Sequence, residues 1–245
     1  MYEFKTVGKP EDVSKEDWND WKWQVKNSIT SIEELEEYIN VDKELKKEIE
    51  ETQDTYRWKI TPYFARLMDK NDKDCPIRRQ ALPSSQELHD EVGVIDPLDE
   101  EKHEPAPGII KVYPDRIAWT VSNNCAMLCR HCLRKRFMTA GAEGDFSQDA
   151  RDQALEYIRN NPEIRDVLLT GGDPLLFPDE WLEDILKELR AIEHVEIIRI
   201  GSRVPSTLPQ RITPELCEML EKYHPLWLNT QFNNPKELTA EAREA

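Results

Sequence analysis

Residues 116–132 read RIAWTVSNNCAMLCRHC, an apolar run that leads directly into three closely spaced cysteines. The run from 116 to 122 is rich in apolar and β-branched side chains, which predicts a buried strand. Cys125, Cys129 and Cys132 follow it with three and two residues between them, in a turn that contains no glycine. The stretch therefore predicts a strand followed at once by a loop of metal ligands.

Thiolates are the ligands that iron-sulfur clusters require, and three thiolates leave one of four irons open to a ligand from outside the protein. Two alternatives stay open: a zinc site that takes His131 as its fourth ligand, and three structural thiols. A closed zinc site prefers a second pair of ligands elsewhere in the chain. Cys75 and Cys217 stand alone, so no such pair exists. The spacing favours a 4Fe-4S cluster.

Composition limits the other function classes. The chain has 245 residues, 38% of them hydrophobic, which suffices for one domain with a real core. The 33 Lys and Arg are outnumbered by 49 Asp and Glu, which disfavours nonspecific binding to nucleic acid or to anionic membranes. The amino terminus has no apolar signal region, and the five cysteines form a poor disulfide framework. We expect a cytoplasmic protein with a small-molecule substrate.

The chain divides into two parts by pattern. Residues 12–70 carry little glycine and strong helical signals, among them the capping box of Ser31 and Glu34. A polar, proline-rich run over 97–108 follows, and we predict a helical N-terminal segment over 1–110. From 111 to 245, short apolar runs alternate with amphipathic helices, which favours βα units around a parallel sheet. The predicted strands cover 116–122, 166–170, 196–201 and 226–231, and the predicted helices cover 148–160, 178–192 and 214–223.

These four βα units predict an α/β fold, a partial TIM-like barrel behind the helical segment. Thr239 is a candidate N-cap, and the sequence ends about one helical turn after it. Four units do not close a barrel, because closure needs a matched strand number and stagger. We therefore expect the barrel to be incomplete at its C-terminus and to be completed by further chain or by a partner.

The second predicted strand runs into residues 171–174, which read GGDP. Glycines permit close backbone approach, and an acid beside them can meet an ammonium group. Together with the cysteine spacing, this turn resembles the radical S-adenosylmethionine superfamily. The resemblance implies that S-adenosylmethionine chelates the open iron and is cleaved to a 5'-deoxyadenosyl radical. It assigns Gly171, Gly172 and Asp173 to the methionine amino group, and His131 to the neighbourhood of the adenine.

A narrower resemblance covers nearly the whole chain. The segments DWNDW (17–21), YPDR (113–116), CRHC (129–132) with Arg134 and Arg136, IRIGSR (198–203) and LPQRIT (208–213) resemble the lysine 2,3-aminomutase family. That family moves an amino group from Cα to Cβ with the help of pyridoxal 5'-phosphate (PLP). The resemblance makes Arg134 the partner of the substrate carboxylate and Arg116 a contact of the PLP phosphate. Guanidinium groups suit both roles, because they bind planar oxyanions through two hydrogen bonds.

The match has departures. Gln231 and Asn234 stand where family members commonly carry histidines. By family position, the PLP-binding lysine and the C-terminal zinc ligands are expected beyond residue 245. L-Lysine is the first choice of substrate, glutamate and arginine are rivals, and a lysine of an elongation factor is an alternative. A non-enzymatic iron-sulfur or zinc domain is the alternative from another class. The family implies a flavodoxin or ferredoxin as electron donor and a homo-oligomer for the full-length protein.

Overall fold

A computed structural model describes residues 4–89, 91–138 and 146–245, without the side chains of residues 137 and 138. Its first part is a set of short helices. They are α1 (Lys15–Asn19), α2 (Trp21–Lys26), α3 (Ile32–Glu36), α4 (Lys43–Thr52), α5 (Pro62–Ala65) and α6 (Pro76–Arg79). The predicted capping box is confirmed at α3, where Ser31 accepts a hydrogen bond from the Glu34 amide and the Glu34 carboxylate accepts from the Ser31 amide.

The second part is built on a sheet of five strands in spatial order β1 to β5. The strands are β1 (Ile109–Ile110), β2 (Arg116–Ser122), β3 (Asp166–Gly171), β4 (Ile197–Gly201) and β5 (Leu226–Asn229). The strands from β2 to β5 pair in parallel, and β1 pairs antiparallel with β2. The parallel order brings the carboxyl ends of these strands, and the loops that follow them, to one edge of the sheet.

Helices connect the strands and cover the sheet. They are α7 (Gln148–Arg159), α8 (Asp179–Arg190), α9 (Val204–Thr207), α10 (Pro214–Glu221) and α11 (Ala240–Glu244). Short 3-10 turns lie at Ser85–Leu88, Glu100–His103, Lys135–Met138, Pro174–Leu176, Pro209–Arg211 and Pro235–Glu237. Thr213 caps α10, and Thr239 caps α11 as predicted. Across the described ranges, no helix is both long and apolar enough to cross a bilayer.

Two hydrophobic cores form. The larger core lies between the sheet and its helices, where α8 buries the stripe Leu182, Ile185, Leu186 and Leu189. The smaller core lies inside the helical N-terminal segment and includes Tyr63 and Phe64. Burial of apolar side chains is the main stabilising term for both cores.

The predicted and observed elements agree in type and nearly in extent. β5 is shorter than the run predicted over 226–231, because residues after Asn229 leave the sheet. β1 was not predicted. Its two residues lie before the predicted boundary at 110/111, yet they pair with β2 beyond that boundary. In addition, Ala240 of the second part donates its amide to the Lys5 carbonyl oxygen of the first part at 3.0 Å. The two parts therefore interlock, and their division into two domains stays a prediction.

The pairing of β1 with β2 depends on Gly108. It has φ +71°, and an added Cβ would lie 2.7 Å from the Thr120 carbonyl oxygen. Its own carbonyl oxygen accepts from the Thr120 amide at 2.8 Å. A side chain at this position would therefore strain the backbone and push β1 away from β2.

We expect Gly108→Ala to lower the free energy of unfolding by about 2 kcal/mol, since left-handed backbone costs a non-glycine residue roughly 1–2 kcal/mol and the carbonyl contact adds to that. Equilibrium unfolding in urea measures the change. Gly8→Ala is the matched control, because its added Cβ meets nothing nearer than Arg66 Nη2 at 3.7 Å. Equal stability of the two variants would contradict the prediction.

Candidate metal centre

The loop that carries the three cysteines follows β2 and lies between the two hydrophobic cores. Ala126 is 1% exposed and belongs to the core under the sheet. Met127, the next residue, is 3% exposed and belongs to the core of the N-terminal segment. The loop is therefore fixed from both sides within two residues.

Backbone hydrogen bonds add to this fixation. The Leu128 amide donates to the Lys59 carbonyl oxygen at 3.0 Å, and the Arg130 amide donates to the Gln80 carbonyl oxygen at 3.0 Å. Both acceptors lie in the helical N-terminal segment. That segment thus holds the backbone on which the cysteines lie.

The three predicted ligands are brought together. All three thiols are free and partly buried. Burial raises the pKa of Cys125 well above its ordinary value, and the charges of Asp173, Cys129 and Cys132 raise it further. Burial also raises the pKa of Cys129, against the opposing effect of Arg203. Mutual effects of this kind need short separations, so the three sulfurs share one neighbourhood.

Zinc and a 4Fe-4S cluster make different demands on the sulfurs. Among the described residues, no group of three or more His, Cys, Asp or Glu side chains surrounds a point that would hold a single ion. A zinc ion would need all its donors in one sphere, with sulfur at about 2.3 Å. The thiolates of a 4Fe-4S cluster each bind a different iron and lie farther apart. The three thiols of the loop match the donor set of such a cluster.

A buried cation lies against the middle cysteine. Arg203 Nη1 donates to Cys129 Sγ at 2.9 Å. Arg203 Nε is buried with no hydrogen-bond partner. An anionic cluster beside Cys129 would offer the acceptor that this donor lacks, so the residues present fit the group.

The two glycines after β3 permit a close approach to the cysteine loop. Gly171 has φ +104°, and an added Cβ would lie 2.5 Å from the Ser122 carbonyl oxygen. A Cβ on Gly172 would lie 2.6 Å from the Asn124 backbone nitrogen. The Asp173 amide donates to the Asn124 carbonyl oxygen at 2.7 Å. The GGDP turn and the start of the cysteine loop are therefore in backbone contact.

Asp173 is 6% exposed, and its carboxylate already accepts two backbone hydrogen bonds. The donors are the amides of Leu175 at 3.1 Å and Arg203 at 2.9 Å. Burial raises the pKa of Asp173, and its hydrogen bonds to Ser202 and to these amides oppose that rise. The carboxylate joins the turns after β3 and β4 beside the cysteines. Its contact with a methionine ammonium group stays a prediction.

Arg134 lies at the same edge of the sheet. Its Nη1 donates to Thr170 Oγ1, near the end of β3, at 3.3 Å. Its Nη2 forms a salt bridge of 2.7 Å with Glu100, which is 3% exposed. Because Thr170 and Glu100 bind its two terminal nitrogens, the guanidinium is oriented before any substrate binds.

Arg116 lies elsewhere. It begins β2, pairs with Asp115 at 3.1 Å and lies 5.4 Å from the Tyr113 ring centroid. The six residue steps of β2 separate it from Ser122 by about 20 Å. The structure thus does not bring Arg116 to the cysteine loop, and its contact with a PLP phosphate stays a prediction.

His131 meets side-chain amides from the segment after β5. Its Nε2 lies 3.4 Å from Gln231 Nε2 and 3.3 Å from Asn233 Nδ2. Burial, with a further effect of Arg203, lowers the pKa of His131. Gln231 is thus beside the cysteine loop, whereas Asn234 caps the turn Pro235–Glu237 by accepting from the Lys236 amide at 3.0 Å.

Sequence reasoning missed Lys59, Gln80 and Glu237, and it gave Arg203 no role. Lys59 Nζ donates to Asn124 Oδ1 at 2.9 Å, and burial lowers the pKa of Lys59. Each of these residues lies near the cysteine loop in the fold but far from it in sequence. Local spacing therefore carried no signal for them.

Comparison with known proteins bears directly on this site. The model of the radical SAM superfamily matches residues 119–244, which include the cysteine loop and the GGDP turn. The chain belongs to the radical SAM superfamily. Membership implies a 4Fe-4S cluster and S-adenosylmethionine, in agreement with the three thiols gathered after β2.

The chain is also similar to curated aminomutases. It is 52% identical over 236 residues to an L-lysine 2,3-aminomutase of Fusobacterium nucleatum, covering 96% of this chain and 55% of the relative. It is 46% identical over 235 residues to that of Bacillus subtilis, covering 96% and 50%. A glutamate 2,3-aminomutase of Clostridioides difficile is 45% identical over 232 residues, covering 95% and 55%. The chain spans about half the length of these relatives.

The cluster makes a direct prediction about Cys129. After anaerobic reconstitution we expect about four irons per chain and a broad brown absorbance, and we expect Cys129→Ala to lose both, because a thiolate ligand is removed. Cys217→Ala is the control, since Cys217 is exposed and lies on α10. Iron and zinc are quantified by elemental analysis. Tight stoichiometric zinc without iron uptake would contradict the assignment.

Proposed function

We propose that this chain forms the S-adenosylmethionine-cleaving part of a radical 2,3-aminomutase, with L-lysine as the substrate. The observation that carries the proposal is the meeting of two backbone turns. The cysteine loop after β2 and the GGDP turn after β3 are joined by the hydrogen bond from the Asp173 amide to the Asn124 carbonyl oxygen. A cluster and its chelated ligand need such a pair of adjoining loops.

When bound, the cluster and S-adenosylmethionine supply the radical, and PLP carries the migrating amino group. The chain's own residues hold and orient these groups. Cys125, Cys129 and Cys132 bind three irons. Gly171 and Gly172 expose backbone to the methionine amino group, and the Asp173 carboxylate accepts a hydrogen bond from it. His131 packs near the adenine, at the edge where Gln231 and Asn233 already meet it.

Arg134 binds the substrate carboxylate in this proposal. Glu100 holds one side of the guanidinium, and Nη1 points to Thr170 at the end of β3. A guanidinium held in this way binds a carboxylate with little further loss of side-chain freedom. The α-carboxylate is common to every amino acid, so this contact does not select the side chain.

Glutamate is the second candidate substrate, because the Clostridioides difficile relative has that name at an identity close to those of the lysine enzymes. The relatives' names therefore support amino-group migration more strongly than they support one side chain. A non-enzymatic cluster domain is disfavoured, since the relatives named above are all aminomutases.

The proposal also covers the rest of the barrel, the PLP site, the compartment and the partners. The parallel strands from β2 to β5, with Trp227 61% exposed on β5, are compatible with a partial TIM-like barrel that continues past this edge. We assign Arg116 to the PLP phosphate and the PLP-binding lysine to residues outside this chain. Five free cysteines suit the cytoplasm. We propose a flavodoxin or ferredoxin as the electron donor. We also propose that the full-length protein is a homo-oligomer.

Asp173 tests the assignment to S-adenosylmethionine. We expect Asp173→Asn to weaken binding of S-adenosylmethionine by about ten- to a hundredfold with the iron content retained, since a charge-assisted hydrogen bond is worth roughly 1.5–3 kcal/mol. Isothermal titration of the reconstituted chain measures this. Asp166→Asn is the control, because Asp166 is also buried but begins β3 at the far end. Unchanged affinity in Asp173→Asn would refute the assignment.

Amino-group migration is tested in a chimera in which this chain replaces the matching part of the Fusobacterium nucleatum relative. With S-adenosylmethionine, PLP and dithionite, we expect L-lysine to give L-β-lysine and L-glutamate to stay unchanged, as read by mass spectrometry. Arg134→Met in the chimera should lower kcat/KM about ten- to a hundredfold through the lost carboxylate pair. A chimera that releases 5'-deoxyadenosine but converts neither amino acid would refute the aminomutase proposal.

A further inference from the structure

A buried polar network holds Arg203 against the middle cysteine. Its three charged or amide members come from three separate segments. Gln80 follows α6 in the N-terminal segment, Arg203 follows β4, and Glu237 ends the turn after β5. These residues converge on Cys129, although more than a hundred positions separate Gln80 from the other two.

The contacts join these residues to one another and to Cys129. Arg203 Nη1 donates to Cys129 Sγ at 2.9 Å, while Nη2 donates to Gln80 Oε1 at 2.9 Å and to Glu237 Oε2 at 3.2 Å. Gln80 Nε2 donates to Glu237 Oε1 at 2.8 Å. The Arg203 amide donates to Asp173 at 2.9 Å. Hydrogen bonds thus fix the guanidinium at both of its terminal nitrogens and fix the Arg203 backbone at its amide.

Burial makes these contacts strong and selective. Glu237 is fully buried, Gln80 is 8% exposed, and the Arg203 side chain is 12% exposed. Charged groups interact more strongly where water is excluded, and a buried ion pair survives only when its remaining hydrogen bonds are satisfied. Gln80 supplies one hydrogen bond to each member of this pair, and the Asn233 amide donates a further one to Glu237 at 3.2 Å. The network therefore aims one N–H of a permanent cation at one sulfur.

We propose that Arg203 is a positioning residue that orients the Cys129 thiolate and raises the reduction potential of the cluster. The inference rests on the cluster of the proposed function. An N–H group that donates to a ligand sulfur withdraws negative charge from it, and a nearby positive charge stabilises the more negative, reduced cluster. Both effects act in the same direction.

Through Gln80, the N-terminal segment helps to hold both Arg203 and the cysteine loop in position. Its carbonyl oxygen holds the Arg130 amide of the cysteine loop at 3.0 Å, and its side chain holds Arg203. Lys59 is another nearby cation, but its Nζ donates to Asn124 rather than to a sulfur. The direct hydrogen bond therefore assigns the effect to Arg203.

The test is a redox titration of the reconstituted 245-residue chain, followed by electron paramagnetic resonance, without S-adenosylmethionine, PLP or amino acid. At a fixed potential we expect Arg203→Gln to lower the ratio of reduced to oxidised cluster at least tenfold, which is about 59 mV for a one-electron couple. Arg203→Lys keeps the charge and should recover part of the loss. Gln80→Leu should shift the ratio in the same direction by less.

Arg199→Gln is the matched control, because Arg199 lies on β4 and pairs with Asp166 at 2.8 Å. It should leave the ratio unchanged. An intact cluster with an unchanged ratio in Arg203→Gln would overturn the role of Arg203 and leave the proposed function standing. If Arg203→Gln holds no iron, Gln80→Leu decides, and an unchanged ratio there overturns the role. Failure of the unaltered chain to take up iron would instead refute the cluster itself.

Discussion

The burial of two successive side chains in two different cores is the constraint on which the site depends. Ala126 packs under the sheet and Met127 packs into the N-terminal segment, so the backbone between Cys125 and Cys129 has little freedom. A loop without regular structure would otherwise lose much conformational entropy on ordering its ligands. Here that ordering is accomplished by folding of the two parts around it. The helical segment is thus part of the site and not an appendage to it.

The elements that sequence reasoning predicted well are those with a strong local pattern. β2 was predicted with its observed bounds, because its apolar alternation ends at a polar loop, and α3 and α11 were marked by their capping residues. β1 has two residues and forms only because β2 lies beside it. A pattern so short is defined by its partner, which the local sequence does not reveal.

The same distinction applies to the site. The cysteines and the GGDP turn could be found from spacing, since neighbouring residues in the chain are neighbours in the site. Arg203, Gln80 and Glu237 are brought together by the order of the strands and by the packing of the N-terminal segment. Arg116 illustrates the converse, because closeness in sequence to the cysteine loop did not put it near that loop. Strand direction decided its place.

The first described residues and the last helix are hydrogen-bonded to each other. The Val7 amide donates to Glu241 at 2.9 Å across 234 positions, and Tyr63 shares a hydrogen bond of 2.6 Å with Thr239. During translation at about 5–20 residues per second, Val7 therefore waits roughly 10–50 s before Glu241 is synthesised. Over that interval the N-terminal segment lacks both of these hydrogen bonds, so its final set of contacts is completed only after α11 has been made.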